Sequence, residues 1–158
     1  MINLNHYLDP VCLDKPAIKH LSVTAGFSHN ITVNTGNNEL SDTKGYSIAL
    51  IGVPDDRRSA NSGAALAPDS IRESLYSFSR LPGKLKIIDL GNLKCGTTFE
   101  DTLAGLKDVL VKVSDAGTVP VLLGGTSALM PAADRFLSLE KKPWSLVTVD
   151  SRLDFTPE

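Results

Sequence analysis

A chain of 158 residues with 42% hydrophobic residues is long enough for one domain with a substantial core. Its net charge of -2, with 16 basic and 18 acidic residues interspersed and no basic stripe, excludes nucleic acid as the main partner. No apolar run approaches the roughly 20 residues that cross a bilayer, and the polar start (residues 1–7) is unlike a signal peptide, so a cytoplasmic chain away from membranes is expected.

Cys12 and Cys95 are isolated thiols outside any CxxC spacing, which argues against a disulfide framework or zinc knuckle. They are expected as small buried hydrophobes. Residues 1–44 read as an N-terminal arm, broken by Pro10, Pro16, Gly26 and Gly36, with a weakly alternating edge strand over residues 28–33. His6, His20 and His29 fall here without metal-ligand spacing, and solvated or core histidines are expected.

From residue 45 a single α/β domain is predicted to run to residue 158. Residues 46–53 form a near-continuous apolar strand, closed by Pro54 and the charged run Asp55, Asp56, Arg57, Arg58, read as a solvated loop. Pro68 suits the first turn of a helix whose apolar face would be Ile71, Leu75 and Phe78. A second strand is predicted over residues 85–91. Thr97 to Glu100 reads as a capping box, opening a helix with Leu103, Leu106, Leu110 and Val113 on one stripe and a stop at Gly117. Residues 119–123 form a third strand, Gly124-Gly125 turns, and Thr126 or Ser127 caps a helix through Leu139. The β-branched run over residues 145–149 reads as a further strand buried on both faces, ending in Asp150 with Asp154 one loop on. Trp144 is expected to pack. Strands alternating with helices through short loops predict a three-layer α/β/α sandwich with a mostly parallel sheet.

Ligands in such sheets bind outside the carboxyl ends of the strands, where Asp150 and Asp154 would stand. Two carboxylates there can clamp a divalent cation, activate water, or cap the next helix. Gly124-Gly125 ahead of a helix can also cradle a phosphate, the reading of a small phosphate-binding module.

Four segments fall in register: Gly52-Val53-Pro54-x-Asp56 with Gly63 through Pro68-x-x-Ile71-Arg72; Asp89-Leu90-Gly91; Leu123-Gly124-Gly125; and Asp150-x-x-x-Asp154. Their order resembles the ureohydrolase family of arginase, agmatinase and formimidoylglutamase, in its N-terminal portion, over roughly residues 46–157. The resemblance implies an arginase-like sheet, two Mn²⁺ ions and hydrolysis of linear amidines or guanidines such as formimidoylglutamate, arginine or agmatine. It places metal-binding histidines where this chain has Ser127 and Arg152, and leaves Asp150 and Asp154 as the matching, weak metal ligands. Arg152 has only hydrogen-bond donors and cannot ligate a metal; it is expected to pair with Asp150 or Asp154 in the cation's place. No catalytic residue is therefore assigned. The resemblance also puts Asp56 and Arg57 at a substrate rim. It sets strands of the family's second half between the Gly-Gly strand and the Asp150 strand, so a homo-oligomer or a completing protein chain is expected. The expected function is that of a truncated or degenerate member, not hydrolytic in this form. The alternatives are a Mn-dependent hydrolase when completed, or the phosphate-binding module.

Overall fold

The structure, a computed structural model, describes residues 3–12, 31–37, 42–59, 62–78 and 85–139, together with 143, 145, 147 and 149. The strands are β1 (Leu8–Asp9), β2 (Ile31–Val33), β3 (Ile48–Gly52), β4 (Ile87–Leu93) and β5 (Val119–Leu123). The helices are α1 (Leu4–Tyr7), α2 (Ala67–Tyr76), α3 (Phe99–Asp115) and α4 (Met130–Leu137), with 3-10 turns over Ala64–Leu66 and Ser127–Leu129.

The strands form one sheet in the order β1-β4-β3-β5, with β2 also on β4. β2, β3 and β5 run parallel to their neighbours, and β1 is antiparallel. Alternation sorts the strand residues between two faces. Ala49, Ile51, Val53, Ile88 and Leu90 meet Leu103, Leu106, Val109, Leu110 and Val113 of α3 and Ala132 of α4. Leu50, Ile87 and Leu123 meet Tyr76 of α2 on the opposite face. This is the expected three-layer, mostly parallel arginase-like arrangement. Two strands from the N-terminal arm, β1 and β2, join it through β4.

Several local expectations shift. The buried face of α2 is Pro68, Arg72 and Tyr76, while Ile71 and Phe78 are exposed. A buried carboxylate, Asp89, turns the helix: Arg72 Nε and Nη2 donate to it at 2.8 and 2.9 Å, and Tyr76 OH at 2.6 Å. Burying Ile71 instead would leave that carboxylate uncompensated. The capping box of α3 lies one residue later, between Thr98 and Asp101. The final helix stops at Leu137, two residues early. Cys12 and Cys95 are both exposed, because each follows the end of a sheet strand rather than lying within it. Asp55 is buried, so its loop is not simply solvated.

Of the last expected strand, Ser145, Val147 and Val149 are described; none lies in a strand, and Val147 and Val149 are 83% and 96% exposed. No strand among the described residues pairs with them, so Val147 and Val149 stay outside the sheet. Trp144, Asp150, Arg152, Asp154, His20 and His29 lie outside the described residues.

β5 is an edge among the described residues. Val119 N–H donates to Ser47 and Leu123 C=O accepts from Val53, so Val119, Val121 and Leu123 face β3 with their backbone groups. Pro120 and Leu122 then point theirs outward. No charged residue occurs between Asp115 and Asp134, and Val119, Val121 and Leu122 are partly exposed.

Candidate functional site

The chain leaves β3 through α2 on one face to reach β4, then crosses back through α3 on the other face to β5. Loops depart β3 and β5 toward opposite faces at their carboxyl ends, the position where open α/β sheets take ligands. Two segments border it: the charged loop after Val53 and the Gly124-Gly125 turn.

Asp55 joins the surrounding loops. Its side chain is 2% exposed. Its Oδ1 accepts from the backbone N–H of Arg57 at 3.0 Å, fixing the turn, while its carbonyl accepts from Thr126 N–H at 3.1 Å, tying in the turn after β5. Arg57 extends the link to the loop after β4. Its Nε and Nη2 bind the Asp55 carboxylate, its Nη1 reaches the carbonyls of Gly96 and Thr97 at 3.2 and 3.1 Å, and its Nη2 meets Thr102 Oγ1 at 2.8 Å. All five N–H groups of this guanidinium are thus given to the protein. The hydrogen bonds from Arg57 hold the Asp55 carboxyl below the usual carboxylate range, against the opposing pull of burial. Asp55 is therefore a fixed anion at neutral pH and not a general base. Partial desolvation, with Asp55 nearby, pushes the Cys95 thiol up, which keeps it protonated and unsuited to nucleophilic attack.

Asp56 Oδ2 accepts from Gly63 N–H at 3.0 Å and closes the loop crest. Arg58, on that crest, has φ 63° and is the non-glycine residue with positive φ among the described residues. An arginine in this left-handed region costs about 1 kcal/mol or more. Its guanidinium carbon lies 4.8 Å from the Phe99 ring centroid.

Gly124 and Gly125 have φ 68° and 84°. A Cβ on Gly124 would sit 2.7 Å from Pro68 Cδ, and one on Gly125 2.6 Å from Leu129 Cδ1 and 2.7 Å from the Val53 carbonyl. The turn is closely packed between α2 and the β3 loop, and only glycine meets both demands. Ser127 follows, exposed, at the start of the 3-10 turn, and Thr126 Oγ1 accepts from Ala128 N–H at 3.2 Å.

Of the residues proposed from sequence, Asp56, Arg57, Gly124, Gly125 and Ser127 lie on the two loops that the Thr126 N–H to Asp55 carbonyl bond joins; Asp150, Arg152 and Asp154 lie outside the described residues. Sequence reasoning missed the Asp55–Arg57–Thr102 link and the Arg72–Asp89–Tyr76 cluster. The first had a signal, Asp-x-Arg, an acid two residues before a base on a tight loop; the second joins residues that become neighbours only when α2 packs on β4.

The resemblance implies two manganese ions. Among the described residues there is no group of three or more His, Cys, Asp or Glu that could hold a metal, and Ser127 offers a hydroxyl in place of an imidazole. The described residues do not fit such a centre. Among them, too, no helix is long and apolar enough to cross a membrane.

Comparison with known proteins agrees with the strand-end motifs. Formimidoylglutamase of Salmonella paratyphi C is 30% identical over 114 residues, covering 68% of this chain and 36% of the relative. The mitochondrial guanidino acid hydrolase of Homo sapiens is 28% identical over 123 residues, covering 72% of this chain and 35% of the relative. The chain thus spans about a third of the length of these relatives. No solved structure matches. The family model for arginases matches residues 46–158, from just before β3 through the Gly-Gly turn and beyond, and on that match this chain belongs to the arginase family.

Proposed function

We propose that this chain is an arginase-family domain that does not hydrolyse amidines by itself and works as a ligand-binding or assembly unit. The observation that carries the reading is Ser127. It stands at the Gly124-Gly125 turn where the family resemblance puts a metal-binding histidine, and a neutral hydroxyl is a poor substitute for imidazole toward a divalent transition metal. Arg152 supports it from the sequence, being always protonated and rich only in donors.

A calorimetric Mn²⁺ titration tests this, run beside an Asp150→Ala, Asp154→Ala control and assays for urea, ammonia and formamide from arginine, agmatine and formimidoylglutamate. Neither binding nor turnover is expected. Mn²⁺-dependent turnover overturns the reading.

A second reading is favoured by the exposed, uncharged edge of β5. In it, a completing protein chain restores a manganese-dependent hydrolase of linear amidines or guanidines. Saturable Mn²⁺ binding lost in the double alanine control would favour this second reading. The phosphate-binding reading gains less support, since Thr126 N–H and Ala128 N–H already have partners within the protein.

A further inference from the structure

We propose that the β5 edge is a dimerisation surface for a second copy of this chain, paired antiparallel with Leu122 on the two-fold axis. The proposal rests on the assembly reading above and gives it a partner and a register.

The two edges of the sheet are unlike. Beyond β4 stand β1 and β2, of two and three residues, and β1 carries Asp9, whose carboxylate lies 3.8 Å from Lys94 Nζ. Shortness and charge are devices that keep an edge from pairing. β5 has five residues and no charge, and its Val119, Val121 and Leu122 are 59%, 36% and 37% exposed. The apolar surface continues past its carboxyl end. There Leu66, 70% exposed, precedes Ala67, whose Cβ lies 2.8 Å from where a Cβ on Gly124 would stand.

The hydrogen bonding selects the occupant. Val119, Val121 and Leu123 turn their backbone groups to β3. Of the outward residues, Thr118 gives its N–H to the Val113 carbonyl at 3.3 Å, and Pro120 has none to give. From Thr118 to Leu123, Leu122 therefore carries the one amide open to an incoming strand. A two-fold axis sets the same strand on both sides, running in opposite directions, and facing residues of such a pair exchange both N–H···O=C bonds. Centred on Pro120, two copies would meet carbonyl to carbonyl without a donor. Centred on Val121, each Leu122 amide finds a Pro120 carbonyl, but each Leu122 carbonyl faces a proline nitrogen. Centred on Leu122, the open amide of each copy meets the Leu122 carbonyl of the other, and both groups of both residues are paired. An edge with one open donor is complementary to itself at that position, and no like charges oppose one another across the axis. Because each copy spends its β5 edge on the other, the pair closes and does not grow.

Sedimentation velocity of the full chain, under reductant and from low to high micromolar concentration, tests this. A monomer–dimer equilibrium is expected. Leu122→Pro removes the outward amide and leaves the bonds to β3 in place, and it should raise the dissociation constant about tenfold or more, the worth of two hydrogen bonds. Leu122→Val keeps the amide and should dimerise nearly as the parent does. A cross-linking series reads the register without relying on the proline variant. With Cys12→Ser and Cys95→Ser as background, Leu122→Cys should form an interchain disulfide on mild oxidation, since facing hydrogen-bonded residues lie within disulfide reach. Val121→Cys should link far less. Adding Pro120→Val supplies the missing amide, makes the Val121-centred register equally satisfied, and should let Val121→Cys link as well. A monomer at every concentration overturns the proposal, and so does a link at Val121 with none at Leu122 while Pro120 is in place. A dimer that survives Leu122→Pro and links at neither position also overturns it, while leaving the assembly reading intact. Turnover assays decide the hydrolytic question separately.

Discussion

Asp89→Ala is expected to be the most damaging single change outside the apolar core. Asp89 is fully buried, and Arg72 and Tyr76 are each 1% exposed. The carboxylate accepts from Arg72 Nε and Nη2, from Tyr76 OH, and from Gly91 N–H at 2.9 Å. Arg72 also reaches Asn92 Oδ1 at 2.6 Å and the Gly91 carbonyl at 2.9 Å, so its head is held in place after Asp89 is lost. Truncating Asp89 leaves the buried guanidinium with only the partly exposed Asp69 carboxylate, 3.4 Å from Nη1, as counter-charge, which puts the cost toward the lower end of about 3–5 kcal/mol. Against a total stability of about 5–15 kcal/mol that is a large share. For a domain of this size it lowers the melting temperature by roughly 6–20 °C. Urea denaturation of Asp89→Ala, Arg72→Met and the pair Arg72→Met, Asp89→Leu measures it. The double variant should recover much of the loss, because apolar replacement of a whole buried pair is close to neutral. A loss below about 1 kcal/mol in Asp89→Ala, or a double variant no better than the singles, refutes the argument that the charge pair turns α2 onto its Arg72 face.

Other outcomes follow from the same geometry. The Asp55 carboxyl is held below its unfolded value of about 3.9, so its link contributes stability fully above that pH and loses it as pH falls through the lowered folded value; Asp55→Asn should therefore be clearly weaker than wild type in urea at pH 7, with the gap closing on acidification. Gly125→Ala should destabilise by at least about 2 kcal/mol, from φ 84° and the contacts its Cβ would make with Leu129 and Val53; near-normal thermal melting would contradict this. The chain should self-associate through the uncharged β5 edge, and Leu122→Lys should shift it toward monomer in light scattering across concentration; a wild-type monomer at all concentrations counts against it.

What the sequence showed best was what periodicity and punctuation control. β3, β5 and the stripe on α3 were legible because an apolar run or a 3.6-residue repeat directly records burial, and Gly117 and Gly124-Gly125 mark turns whose backbone excludes other residues. Hydrophobicity misled at α2, where Ile71 and Phe78 look like the core face but a charged side chain, Arg72, occupies it. No local pattern announces that an arginine will be buried; its partner lies 17 residues away on β4. The site shows the same division. The turn glycines and the Asp-x-Arg loop were visible, whereas the commitment of every Arg57 N–H depends on carbonyls and a hydroxyl at residues 96, 97 and 102, which only the docking of α3 brings within reach.

Pro120 gives the β5 edge a grammar. A strand adding there would meet two outward carbonyls, at Pro120 and Leu122, but one amide, that of Leu122, because proline has no N–H to offer. The hydrogen-bond rhythm is thus broken at a known place, and sliding the incoming strand along the edge is no longer free of consequence. Each candidate alignment must bring an acceptor to the Leu122 amide and no carbonyl in need of a donor to Pro120. An edge bare of charge is in this way still selective: it discourages open-ended stacking of arbitrary strands and admits a neighbour in a restricted set of registers.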